Sequence, residues 1–509
     1  MPKIIIVGAG VGGLSAAARL ARTGHQVEIF ESSDRTGGKC QTEWIGDYAF
    51  DTGPSLFTLP AVYKDLFLKT GKRFEHELTL TATDPSFRYN FPDGKSVDFV
   101  NLDLPKTCAA IDRALGKSAG DAWHHLMQRA EAMWDISRNS FVQSQAPTLR
   151  SLLRNRNFLR DLRLIAPWNS LQKLASTYTK DPHLTAIVDR YATYTGSDPR
   201  LAPAALLTIP FVETTFGAWH ISGGVGQLAQ ALTRRCLDLG VTIHLNTPVG
   251  KILTEDDRAV GVVDGNGVTH KCDKVIVNAD PALAYEKLID PKIKSAAKER
   301  RNLVKADKSL AGFVLLLGLD NSKAQALQVD LPKLAHHNIY FPKDYDAEFD
   351  QIFQQKVPVD DPTIYICKPD DATMTRRENT EAWFVLINAP RHEPGSGWDW
   401  RTGGDQYAQK IVSKLDALGL NVSQRIDVME FRTPYDLENS TNAPGGSIYG
   451  NALHGASSVF KRAKNKSPIQ DLYFVGGGAH PGGGLPLVGI SAEIVVDDIN
   501  GTKPGESFH

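Results

Sequence analysis

The residues with the clearest chemical meaning are glycines near the start of the chain. Gly8, Gly10 and Gly13 follow the apolar run Lys3–Val7 and lead into a stretch expected to be helical from about Gly12 to Thr23. In a G-x-G-x-x-G turn the first glycine permits the tight bend, the second lets backbone approach a pyrophosphate, and the third lets helix pack on strand. The helix N-terminus then presents its free N–H groups to the anion. Gln26–Phe30 reads as the next strand, and Glu31 at its tip, with Ser32 beside it, can accept both ribose hydroxyls of an adenosine. A carboxylate there repels a 2′-phosphate, so the adenosine is expected to be unphosphorylated. Further on, Gly37 and Gly38 precede the Lys39 cation, and Gly53, Pro54 and Ser55 follow a short hairpin. A second stretch of close backbone approach with a cation suits the long dinucleotide FAD better than a nicotinamide cofactor.

These residues need a scaffold to bring them together. Gly223 and Gly224 feed an amphipathic helix that ends at Gly240, and residues 241–246 read as a strand. Asp264–Gly267 is a hairpin turn, and Val275–Val277 is a further buried strand. Near the C-terminus the strand 471–475 runs into Gly476, Gly477 and Gly478, and Pro486 starts a helix with Leu487 and Val488 in its first turn. The N–H groups and dipole of such a helix start favour negative charge on a bound flavin. His480 in the intervening turn is expected to bond backbone rather than to act as a base. No nucleotide motif occurs in 86–214 or 282–470. The expected fold is α/β: a Rossmann-like FAD-binding domain, discontinuous in sequence (1–85, 215–281 and 471–509), a mixed-sheet substrate domain (282–470) and a helical, membrane-facing lobe (86–214).

Four blocks carry a resemblance. They are Val7–Leu14; Gly37–Lys39 with Asp51–Ser55; Ser222–Leu228; and Val475–Pro486, with its His-Pro-Gly-Gly-Gly-Leu-Pro run. Together they resemble the flavin-dependent carotenoid (phytoene) desaturases within the FAD-binding amine-oxidase-like superfamily, from residue 4 to about 498. The resemblance implies FAD as cofactor, backbone at Val249 near the adenine, and a hydrophobic polyene as substrate. It further implies hydride transfer from an allylic carbon to flavin N5, followed by proton loss. Other members of the family are 3,4-desaturases of hydroxylated carotenoids, isomerases and terminal oxygenases. Leu487 and Val488 depart from the small residue expected after the proline, which bears on the substrate. An amine oxidase and a non-catalytic isoprenoid-binding chaperone are the readings from other classes.

Composition narrows the remaining choices. With 509 residues the chain exceeds what one core serves. Its 57 basic and 58 acidic side chains give no positive field for nucleic acid. The five cysteines have no metal-ligand spacing and read as reduced intracellular thiols. The most apolar window, Leu310–Leu319, is too short to span a bilayer; it reads as a buried strand, more often plain core than the wall of an apolar tunnel, with Trp383–Pro390 as its neighbour in the same sheet. Residues 148–173 interleave cations with apolar side chains, as an interfacial helix would. The expected location is therefore cytoplasmic and peripheral on the membrane. With one dinucleotide fingerprint, electrons are expected to leave to a quinone or oxygen. Glu213, Asp198 and His220 are candidate proton acceptors.

Overall fold

The computed structural model describes residues 1–146, 158–326, 328, 330–455 and 458–502. Its centre is a five-stranded parallel sheet in the order Leu472–Phe474, Lys274–Val277, Lys3–Val7, Gln26–Phe30, Thr242–His244. These short Val/Ile-rich strands are buried on both faces, the pattern of a parallel sheet covered by helices. On one face Ile4, Ile6, Ile29 and Ile276 pack under the helices Val11–Arg22, Gly226–Asp238 and Leu485–Asn500. On the other, Ile5, Val7, Val275 and Phe474 meet the antiparallel sheet Val249–Glu255, Arg258–Asp264, Thr269–Lys271 and the turn around Tyr285. Alternation along each strand thus serves two different cores.

A mixed seven-stranded sheet forms the second layer, in the order Ile426–Arg432, Ala311–Asp320, Thr380–Ala389, Ile364–Cys367, His337–Tyr340, Phe87–Asn90, Ser96–Phe99. Leu316 pairs with Phe384, so the two long apolar strands are neighbours, as their composition suggested. The core reading of Leu310–Leu319 holds, and the tunnel alternative does not. Phe313, Leu315, Leu317 and Leu319 pack on the helix Trp400–Ala417, while Val314 and Leu316 pack on Tyr48 and Phe50 of the hairpin Thr42–Asp51. A strand covered on both faces is core. The segment 86–214, expected as a helical lobe, also gives the sheet two strands, where Phe87, Tyr89, Val97 and Phe99 alternate with polar residues and are buried. Of the stretch 148–173, residues 148–157 lie outside the described residues. The helix Phe158–Ile165 exposes Leu159 and Arg160, and Trp168 follows it, also exposed. No helix among the described residues is long and apolar enough to cross a membrane.

Candidate active site

The glycine turns converge on one residue that sequence reasoning passed over. Asn278 ends the strand Lys274–Val277; its N–H donates to Val7 O at 2.7 Å and its Nδ2 to Val475 O at 3.0 Å. It thereby ties the two outer turns to the first strand. A Cβ on Gly10 would lie 2.6 Å from Asn278 Oδ1, one on Gly12 would lie 3.1 Å from Gly476 Cα, and one on Gly13 would run into Gly8 O. Gly8 itself has a φ of +99°, which glycine adopts without strain. Asn278 Oδ1 is buried and has no hydrogen-bond partner among the described residues. The only local sign was a polar residue at the C-terminal end of a buried strand, where ligands of open α/β sheets gather.

Glu31 is buried at the tip of its strand. Its Oε2 accepts the Ala9 N–H at 2.7 Å, and its Oε1 accepts Ser33 N–H at 2.9 Å and Ser32 Oγ at 3.2 Å. The first glycine turn and the acid are therefore one unit. Thr247 N–H donates to Glu31 O, which brings the chain entering Val249 to the same end of the sheet. Gly38 closes over the turn, since a Cβ there would lie 3.2 Å from Gly10 Cα; one on Gly53 would run into Lys39 O.

Lys39 points into a recess. Its Nζ lies 3.2 Å from Ile448 O and 3.4 Å from Ser447 O, and it keeps accessible surface. Desolvation nevertheless holds its ammonium below the usual lysine value, with Asp280 opposing the shift. Pro54 and Ser55 form another wall, half-buried, with Ser55 Oγ 2.8 Å from Tyr365 Oη. Gly477 and Gly478 sit opposite. Arg462, a buried cation that no local motif announced, donates from Nη1 to Gly477 O at 2.7 Å, and desolvation lowers it to about 10 against the pull of Asp280. Pro486, Leu487 and Val488 occupy the first turn of the helix Leu485–Asn500, which has neither a capping side chain nor an acid in that turn. The helix Val11–Arg22 begins in the same open way at Gly10.

His480 is buried, with Nε2 2.9 Å from both Phe141 O and Ser144 O. A neutral ring donating one N–H to two carbonyls is structural, as expected. Desolvation lowers it from 6.5 to about 4. In this window the unfolded chain binds a proton that the folded chain refuses, so His480 stabilises fully above pH 6.5 and loses its effect as pH falls to about 4. That share is about 3 kcal/mol. His480→Gln, which keeps a donor, is expected to shrink the loss of stability between pH 7 and 4 in urea titrations; His336 and His337, also depressed by burial, retain their shares.

The three candidate proton acceptors do not come together. Asp198 is clamped by Arg200 Nη2 at 2.7 Å, His220 Nε2 lies 2.8 Å from Asp371, and Glu213 is held by Tyr191 and Tyr194.

Glycine turns that crowd any Cβ, two uncapped helix starts, a strand-end carboxylate and a desolvated lysine on one crevice suit the diphosphate, ribose and flavin of FAD. Residues 11–322 match the family of flavin containing amine oxidoreductases. Over almost its whole length the chain is similar to a zeta-carotene-forming phytoene desaturase of Myxococcus xanthus (32% identity; 97% of this chain, 93% of that protein) and to a 1-hydroxycarotenoid 3,4-desaturase of a Flavobacterium (31%; 99% and 100%). It is equally similar to a 4,4'-diapolycopene oxygenase of a Methylomonas (30%; 98% and 98%). Among solved structures, an oxidoreductase of Methanosarcina mazei (TM-score 0.63, 17% identity, 97% of this chain and 100% of that one) and a putrescine oxidase variant (0.65, 13%, 98% and 99%) share the fold. Fold and site define an FAD-dependent oxidoreductase. The chain belongs to the flavin-containing amine oxidoreductases, in the branch of the carotenoid desaturases.

Proposed function

We propose that the protein desaturates a linear carotenoid or related isoprenoid polyene. The observation that carries this reading is similarity to carotenoid desaturases and oxygenases along 97–99% of the chain, which includes the second layer and not the nucleotide fold alone. FAD supplies the hydride acceptor, and an allylic C–H with a neighbouring proton is what the substrate loses. The chain supplies position. In this reading Gly8, Gly10, Gly12 and Gly13 admit the diphosphate, Glu31 with Ser32 holds the ribose, and Val249 flanks the adenine. Gly38, Lys39, Gly53, Pro54 and Ser55 take one side of the flavin; Gly477, Gly478 and the helix start at Pro486, Leu487 and Val488 take the other. Leu56, Tyr365, Leu386, Ile448 and Tyr449 are half-buried between the cores and next to that crevice, where a polyene would lie. The domain division expected from sequence follows the same logic, with the FAD-binding parts at 1–85, 215–281 and 471–509. Supplying purified holoenzyme with liposomes that contain an acyclic carotene and a quinone, or oxygen, is expected to yield product with a longer chromophore. No product from any acyclic or hydroxylated carotenoid, with FAD bound, overturns the reading.

The same reading places the protein in the cytoplasm, on the membrane surface where such substrates dissolve. Exposed Leu159 and Trp168 beside Arg160 and Arg163 support contact with anionic lipid. The double variant Leu159→Glu/Trp168→Glu is expected to weaken flotation with anionic liposomes about tenfold or more, since the loss of two exposed apolar side chains and the gain of two negative charges act in the same direction.

A further inference from the structure

The second layer contains a charged cluster that desaturation of a hydrocarbon does not use. Arg190, 7% exposed, donates from Nη1 to Tyr89 Oη at 3.1 Å and from Nη2 to Tyr194 Oη at 2.8 Å. Tyr191 Oη and Tyr194 Oη donate to the two carboxylate oxygens of Glu213 at 2.6 and 2.9 Å. The guanidinium lies over the Phe87 ring, 4.6 Å from its centroid, with Tyr89, Tyr191 and Tyr194 around it. Its other N–H groups have no acceptor among the described residues. A carboxylate accepts about four hydrogen bonds and a guanidinium donates five, so both ends of the cluster have capacity left. Burying such a pair is a poor way to stabilise a core, because apolar residues of similar volume do as well or better.

The cluster adjoins the crevice. Ser55 Oγ meets Tyr365 Oη, Tyr365 Oη meets His337 Nδ1 at 2.8 Å, the His337 ring stacks on Phe87 at 5.0 Å, and Phe87 carries Arg190. The charge of Arg190 is felt at Tyr365 on that wall and at Tyr449 on the opposite one. Tyr194 is half-buried beside this chain of contacts, and burial raises its hydroxyl well above the usual value.

We propose that Arg190, Tyr194 and Glu213 form a subsite for a hydroxyl group at one end of the polyene. The hydroxyl donates to Glu213 and accepts from Arg190, with Tyr194 holding both in place, uses the cluster's spare capacity, and fixes how far the polyene slides past the flavin. This rests on the reading of the protein as a carotenoid enzyme and selects hydroxylated over purely hydrocarbon substrates.

The test uses FAD-loaded full-length protein and two acyclic polyenes of equal length, one with a terminal-isoprene hydroxyl and one without, delivered in detergent micelles. Binding is read from perturbation of the flavin spectrum, and turnover is followed in the same samples. The wild type is expected to bind the hydroxylated polyene about tenfold or more tightly than the hydrocarbon, the scale of one or two buried hydrogen bonds to charged groups. Tyr194→Phe and Glu213→Gln are each expected to bring that ratio below about three. A ratio near one in the wild type, or a ratio preserved in both variants, overturns the subsite. A preference that is present and lost in either variant, without any turnover, leaves the subsite standing and removes desaturation.

Discussion

Gly10→Ala is expected to give a folded protein that purifies almost without flavin. The substituted residue keeps an ordinary extended backbone, with φ −69° and ψ 172°, so no strain opposes folding. The added methyl meets Asn278 Oδ1 at 2.6 Å, so this side-chain amide must shift and weaken its hydrogen bond to Val475 O, while no backbone atom has to move. It also stands at the mouth of the helix Val11–Arg22, where a diphosphate must come within hydrogen-bond distance of backbone N–H groups. A displacement of that size costs about 2.7 kcal/mol or more, a hundredfold in FAD affinity. Gly13→Ala is the contrast: its methyl runs into the carbonyl of Gly8, which is backbone and cannot yield, so the fold itself fails. Absorbance of bound flavin per protein, with a denaturation curve beside it, separates the two outcomes. Normal flavin content in folded Gly10→Ala would move the cofactor elsewhere.

Arg462→Met is expected to destabilise the protein by about 1–3 kcal/mol, because it leaves the Gly477 carbonyl without its buried donor. The guanidinium is the donor to Gly477 O and a countercharge for Asp280, which also faces Lys39 and Lys308. Its loss strands a carbonyl in the turn that passes the flavin and frees the 476–484 loop. FAD is therefore expected to dissociate faster as well. The double variant Asp280→Asn/Arg462→Met is expected to recover part of the loss, since neighbours that share a charge are not additive; Asn retains an acceptor for the Ala282 N–H that Asp280 Oδ1 now binds at 2.8 Å. Urea midpoints of the three variants measure this directly. Equal, additive losses would mean that Arg462 and Asp280 do not act as a pair.

The legible part of this protein was local and periodic. The first glycine turn, Glu31 and the helix start at Pro486 follow from strict backbone requirements, and those leave signatures a few residues long. The pairing of Ala311–Asp320 with Thr380–Ala389 followed from composition alone. What stayed hidden depends on contacts far apart in the chain. Asn278 binds turns 197 and 271 residues away, at Val475 and Val7, and nothing beside it in sequence marks that role. Arg462 lies in an unremarkable polar stretch and becomes important only when Gly477 folds back over it. For the apolar run Leu310–Leu319, sequence leaves core and tunnel wall both open, because periodicity cannot separate a lining strand from one packed on both faces. Phe87, Tyr89, Val97 and Phe99 carried a legible two-residue period that surrounding helical segments obscured.

The central claim is that this chain holds FAD against a polyene so that an allylic hydride passes to the flavin. Anaerobic mixing of holoenzyme with an acyclic carotenoid in liposomes tests it in one experiment, with flavin absorbance and polyene bands recorded together. The flavin is expected to bleach while the polyene bands move to longer wavelength, in equal amounts and at the same rate. Polyene bands that move without flavin bleaching, or bound flavin that stays oxidised with every acyclic carotenoid offered, would contradict it.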